Sequence, residues 1–155
     1  MRAYVKERSR AQGHFWVSRS YSSNYGALLK TDCPGAVDIE KKRFFMPKER
    51  ERIIHFACNQ EDLKLMSSGV ELLQIWTMKE AYSKYFQIGL GIHLHNILIH
   101  PAGNQSFIGK HRNYHALQIR TLKYEALAIA VAMGLESTYT HIPISEVVVN
   151  EAQND

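Results

Sequence analysis

Residues 70 to 86 read Val-Glu-Leu-Leu-Gln-Ile-Trp-Thr-Met-Lys-Glu-Ala-Tyr-Ser-Lys-Tyr-Phe, and the rest of the chain is organised around them. Val70, Leu73, Trp76, Ala81 and Tyr82 recur mostly at helical intervals, and no Gly or Pro interrupts them before Gly89. The spacing predicts a helix over 70–86. Along it Trp76, Glu80 and Lys84 stand four apart, so a large apolar anchor, an acid and a base share one stripe. Read alone, Glu80 and Lys84 are a surface ion pair worth about 0.3–0.5 kcal/mol.

Upstream, Phe15 to Leu29 reads as two short strands around the turn-prone Ser22-Ser23-Asn24, and Gly35 to Glu40 as a third strand entered through Pro34-Gly35. Pro47 followed by Lys48-Glu49-Arg50-Glu51-Arg52 reads as the first turn of a helix whose apolar side carries Ile53, Ile54 and Phe56; a second short helix starts near Gln60. Downstream, Ile92 to Ile99, Ala116 to Leu122, Ala126 to Met133 and Val147 to Val149 are rich in β-formers, with Pro101-Ala102-Gly103-Asn104 as a turn. Tyr124 to Met133 is alanine-rich enough to resemble a helix and is read as a buried strand. The expected fold is α+β: a small antiparallel sheet, strung as a meander, packed against the long helix. With no internal repeat, low-complexity tract or linker, residues 1–155 read as one domain with its core at about 15–133.

Composition supports this. A chain of 155 residues with 45% hydrophobic content buries a core without disulfides or metal staples. Without a run of about 18 apolar residues, or an apolar block behind the charged N-terminus, a cytoplasmic protein with no membrane partner is expected. Cys33 and Cys58 lack metal-ligand spacing and read as free thiols of a reducing compartment. Lys and Arg outnumber Asp and Glu by 19 to 15, and the pI near 9.1 favours an acidic partner or polyanionic ligand. Of eight histidines, His93 and His95 share an expected strand face, followed by His100, His111 and His115; none has convincing zinc spacing, and they read as surface or sheet residues.

Asp38 and Glu40 lie two apart in Val37-Asp38-Ile39-Glu40, which on a strand sends both carboxylates to one face and Val37 and Ile39 to the other. Two adjacent acids repel unless a positive charge sits between them. A hard divalent ion such as magnesium would do this, since it takes carboxylate oxygens and completes its shell with water and phosphate. The ordinary alternative is a solvated strand end.

Val37-Asp38-Ile39-Glu40, a gap of about forty residues, then Trp76-Thr77-Met78-Lys79-Glu80-Ala81-Tyr82-Ser83-Lys84 resembles the paired signature of the 4'-phosphopantetheinyl transferase superfamily, which includes the holo-acyl-carrier-protein synthases and the surfactin-type transferases. Gly89-Leu90-Gly91 resembles the family's glycine-containing turn beside the coenzyme, and Val17-Ser18-Arg19-Ser20 its Ser-His-Ser strand. The likeness runs from about Phe15 to Met133. It implies magnesium held by Asp38, Glu40 and Glu80, with Lys84 on the coenzyme A phosphates and Glu80 or a metal-bound water taking the proton of the attacking serine. Lys79, Ser18, Arg19, Gly89 and Gly91 would lie along the coenzyme. It also implies a reaction: phosphopantetheine moves from coenzyme A to a serine of an apo acyl or peptidyl carrier protein, of fatty-acid, polyketide or peptide synthesis, and 3',5'-adenosine bisphosphate is released.

Two departures stand out. Ala36 replaces the family's glycine two places before the Asp, and Arg19 replaces the strand histidine. Arg19 either grips a phosphate by a charge-assisted hydrogen bond or is a solvated strand residue. Surfactin-type relatives have two similar halves with the site between them, whereas this chain corresponds to one half plus an upstream hairpin. A homo-oligomer, dimer or trimer, is therefore expected. Two rivals remain: a family member that binds coenzyme A without transfer, and a basic nucleic-acid-binding domain using Trp16, Tyr21 and Tyr25. The second leaves the three acids unexplained, and no nucleic acid is expected as a partner.

Overall fold

A computed structural model of the protein describes residues 16–31, 33–89, 92–135 and 146–151. Strands β1 (Trp16–Ser22) and β2 (Tyr25–Thr31) form a hairpin whose turn places Ser23 at φ 55°. β3 (Gly35–Lys41) follows, then three helices, α1 (Pro47–Ala57), α2 (Gln60–Ser67) and α3 (Leu72–Tyr85). β4 (Leu98–Gly103), β5 (Ser106–His111), β6 (Tyr114–Tyr124) and β7 (Leu127–Gly134) form an antiparallel meander, and β8 (Glu146–Glu151) comes last.

These strands form two sheets rather than the single sheet expected, with orders β1-β2-β8 and β3-β7-β6-β5-β4. Both edges of β7 are already paired, to β3 and β6, so β8 cannot extend the meander beside it and instead pairs antiparallel with β2. α3 has 14 residues and is shorter at both ends than the 70–86 pattern suggests. The Glu71 N–H donates to Gln74 Oε1 at 3.3 Å at its start, and Gln87 at φ 57° turns the chain away after its end.

The core lies on both faces of β3 and β7. On one face Ile75, Met78, Ala81 and Tyr82 of α3 pack against Leu117, Ile119, Ala130 and Ala132. On the other, Val37, Ile39, Ile129, Val131 and Met133 pack against Ala27 and Leu29 of β2. Each fully buried large aliphatic side chain contributes about 1.5–3 kcal/mol. Burial on both faces explains why β7 reads as a continuous apolar run, and its alanines let α3 approach closely.

Two expectations between 92 and 111 need correction. Residues 92–97 are not a strand: Leu94–Asn96 form a 3-10 turn, with Ile92, Leu94 and Ile97 buried beneath the helices. Asn59 Nδ2 donates to the carbonyls of His95 (2.8 Å) and Ile97 (3.0 Å), taking acceptors that a strand neighbour would use. His93 and His95 therefore share no strand face, although their rings lie 5.6 Å apart. The turn falls at Asn104-Gln105, with Pro101 inside β4, an edge strand where a missing N–H is tolerated. β5, unmarked by its sequence, carries Gly109, paired with Ile99 and Leu117, where an added Cβ would come 2.7 Å from the Tyr82 ring. No helix among the described residues is long and apolar enough to cross a membrane.

Candidate active site

β3 pairs with β7 along one edge, and its other edge lies beside β1. The N–H groups of Val37, Ile39 and Lys41 on that edge donate to the hydroxyls of Ser18 (3.0 Å), Ser20 (3.2 Å) and Ser22 (2.9 Å). The alternation that sends Val37 and Ile39 into the β2-facing core turns Asp38 and Glu40 the other way. Asp38 is fully buried and Glu40 half-buried. Ser20 donates to Asp38 Oδ1 at 3.0 Å, and Ser22 to Glu40 Oε2 at 2.8 Å.

α3 packs across β3 and β7. Lys84, in its last turn, reaches Asp38 Oδ1 at 2.5 Å and the Val37 carbonyl at 3.2 Å. Glu80, one turn earlier on the same stripe, is 7% exposed. Trp76, a further turn back, packs against Phe56 with ring centroids 6.0 Å apart. It lines a groove of about 260 Å³ with Glu40, Arg43, Glu49 and Leu73. A larger depression of about 410 Å³ lies against Arg43 and Phe45 but includes none of the three acids, so the smaller groove, which Glu40 borders, is the one next to the chemistry.

The other implied residues are placed less uniformly. Lys79 is fully buried and turned away from the groove: its ammonium pairs with the Asp62 carboxylate and donates to the Ala57 carbonyl at 2.7 Å. Burial lowers its pKa while Asp62 pulls it back up. Its donors are thus aimed into the interior, at Asp62 and Ala57. Ser18 is 1% exposed and its hydroxyl is engaged by the Val37 N–H, which likewise takes it off the surface. Arg19, half-exposed, projects to the other face of β1 from the serines. Gly89 is exposed at φ 58° just beyond α3, and its carbonyl accepts from Ser83 Oγ at 2.6 Å. Gly91 lies outside the described residues.

Among the described residues no three His, Cys, Asp or Glu side chains close on one point as a preformed metal site would. The donor chemistry nevertheless fits a hard ion. Asp38 and Glu40 on β3 and Glu80 on α3 offer only carboxylate oxygens from two elements packed together, and Asp38 and Glu80 are buried.

Asp62 and the carboxylate-directed roles of Ser20 and Ser22 were not anticipated. Asn59-x-x-Asp62 is a capping-box pattern: the Asn59 side chain accepts from the Glu61 and Asp62 N–H groups, and Asp62 accepts from the Asn59 N–H at 2.8 Å. The serines repeat at 18, 20 and 22 with the same period of two as 36, 38 and 40. A model of the 4'-phosphopantetheinyl transferase superfamily matches residues 36–132, which takes in both the β3 acids and α3. No curated protein matches the chain.

Proposed function

Because the chain belongs to the 4'-phosphopantetheinyl transferase superfamily, we propose that it transfers the phosphopantetheine arm of coenzyme A to a serine of an apo acyl or peptidyl carrier protein. The observation that carries this reading is the meeting of the two signature segments: Lys84 of α3 on Asp38 of β3, with Glu80 one turn away and Glu40 two residues along. Asp38, Glu40 and Glu80 would hold magnesium, which when bound supplies charge for the diphosphate and the departing oxygen.

The chain's own groups account for the rest. Lys84 bears on the coenzyme phosphates and offsets the charge that builds during cleavage. Glu80 accepts the serine proton as the serine oxygen bonds to the β-phosphorus and the bridging P–O bond breaks, releasing 3',5'-adenosine bisphosphate. Arg19 and the turn at Gly89 are retained as coenzyme contacts because both reach the surface; Ser18 and Lys79 are not, since both are buried and engaged. The exposed basic residues Lys41, Lys42, Arg43 and Arg50 line the two depressions and suit an acidic carrier. A second copy of the chain, in a dimer or trimer, would wall the cleft opposite α3, and light scattering of the purified protein measures that.

Purified protein with magnesium, coenzyme A and an apo carrier is expected to add one phosphopantetheine to the carrier, read by intact mass. Asp38→Ala and Glu80→Gln are each expected to abolish the addition. Coenzyme A binding by calorimetry with no transfer to several apo carriers would replace this reading with a coenzyme-binding role.

A further inference from the structure

The serines of β1 do more than seal an edge. Three bonds run at a constant offset of nineteen residues, from Val37 to Ser18, Ile39 to Ser20 and Lys41 to Ser22, so β1 lies alongside β3 in register with hydroxyls where a neighbouring strand would place carbonyls. A hydroxyl has one hydrogen to give. Once the N–H of Ile39 occupies an acceptor site on Ser20, the hydroxyl hydrogen is left for Asp38, and the same holds for Ser22 between Lys41 and Glu40. The backbone of β3 thus orients each hydroxyl, and the hydroxyl in turn orients the carboxylate one residue back on the strand. Ser18 makes the backbone bond alone, because position 36 at the equivalent place is alanine.

We infer that Ser20 and Ser22 are positioning residues that fix the carboxylates of Asp38 and Glu40 in the orientation in which they take a divalent cation. The inference rests on the proposed reading of those acids as cation ligands. A carboxylate free to rotate in a strand loses part of its affinity to the search for the right rotamer. A hydroxyl anchored on the backbone removes that search at one oxygen, and at Asp38 the same oxygen also accepts from Lys84. Groups that orient metal ligands in this way are worth about 10–100-fold in metal affinity.

Ser18 supplies the internal control. The test uses the full chain saturated with coenzyme A, and follows the binding of manganese, as a paramagnetic substitute for magnesium, by electron paramagnetic resonance of the free ion. Thermal melting is recorded in parallel. All three alanine variants, Ser18→Ala, Ser20→Ala and Ser22→Ala, are expected to lower the melting temperature, since each loses a backbone partner. Only Ser20→Ala and Ser22→Ala are expected to weaken manganese binding, by about tenfold or more, and Ser22→Thr, which restores a hydroxyl at a half-buried position, is expected to recover it. Should Ser20→Ala not fold, the Ser22→Ala and Ser22→Thr pair decides alone. Equal manganese affinity in the alanine variants and the wild type, or equal weakening in all three, overturns the positioning role while leaving the proposed activity intact. A wild-type protein that binds no manganese removes the cation reading and the inference with it.

Discussion

Lys79 and Lys84 sit on one helix, and each holds an aspartate from elsewhere in the chain, but their surroundings differ. The side chains of Lys79 and Asp62 are both 0% exposed, and the lysine also donates to the last residue of α1 while the aspartate caps the start of α2. That pair fastens three helices together. Lys84 is 13% exposed over a fully buried Asp38, close to Glu80 and to the groove beside Glu40. Water reaches one pair and not the other. A closed pair is committed to holding the fold, because breaking it strands a charge in the interior; in the open pair Asp38 is buried too, but it also accepts from Ser20, and the ammonium of Lys84 lies within reach of solvent and of an arriving phosphate.

The largest effect should come from breaking the closed pair. Asp62→Ala is expected to lower stability by about 3–5 kcal/mol in urea unfolding, with Lys79 left buried and unpaired. The double replacement Lys79→Met with Asp62→Leu should recover most of that loss, since neither charge is then desolvated. A double variant as unstable as the single one would mean that the capping of α2 by Asp62, rather than the ion pair, dominates.

Lys84→Ala should show the reverse profile. Transfer to an apo carrier should fall about 10²–10³-fold through loss of a preorganised charge at the diphosphate. Stability should fall by less, about 1–3 kcal/mol, because Asp38, although buried, keeps the hydrogen bond from Ser20. If Lys84→Ala proves as destabilising as Asp62→Ala, the distinction between a structural and a functional pair fails.

A third variant separates both pairs from the seating of α3 itself. At Gly109 an added Cβ would meet the Tyr82 ring at 2.7 Å and Ile119 at 2.8 Å, while Tyr82 is held by a bond from its hydroxyl to the His115 carbonyl at 3.0 Å. Gly109→Ala should cost about 1–3 kcal/mol by overpacking. Thermal melting measures it, and a loss of transfer larger than the loss of stability would show that the helix position, not only its charges, governs the site.

How much of this was legible in the sequence depends on how local each signal is. β1, β2, β3 and the starts of α1 and α2 follow from turns, a proline and alternation within a few residues, and the structure has them. The segment at 92–97 is decided by the amide of Asn59, and the glycine of β5 by the Tyr82 ring, both remote in sequence. The partner of β8 is likewise a long-range pairing. At the site, the four-residue spacing of Trp76, Glu80 and Lys84 put those residues on one stripe. Lys79, one residue before Glu80 and so roughly 100° round the helix, was never on that stripe. The pattern marks it as different, but only the fold shows that Asp62 waits on that side.

The smallest effect reads the charge of the closed pair directly. Cys58 lies next to it: burial pushes its thiol pKa up to about 11, Asp62 pushes the same way, and Lys79 and Arg50 pull it down. In a Cys33→Ser background, alkylation of Cys58 should be slow at pH 8, where roughly one thiol in a thousand is ionised, and should rise about tenfold per pH unit towards pH 11. Asp62→Asn removes a negative neighbour and should speed the reaction at pH 9. Lys79→Met removes a positive one and should slow it. Local opening of the fold would speed both, so divergence of the two rates is the signature of a charged pair beside the thiol, and rates that move together would mean that opening, not the field of the pair, governs Cys58.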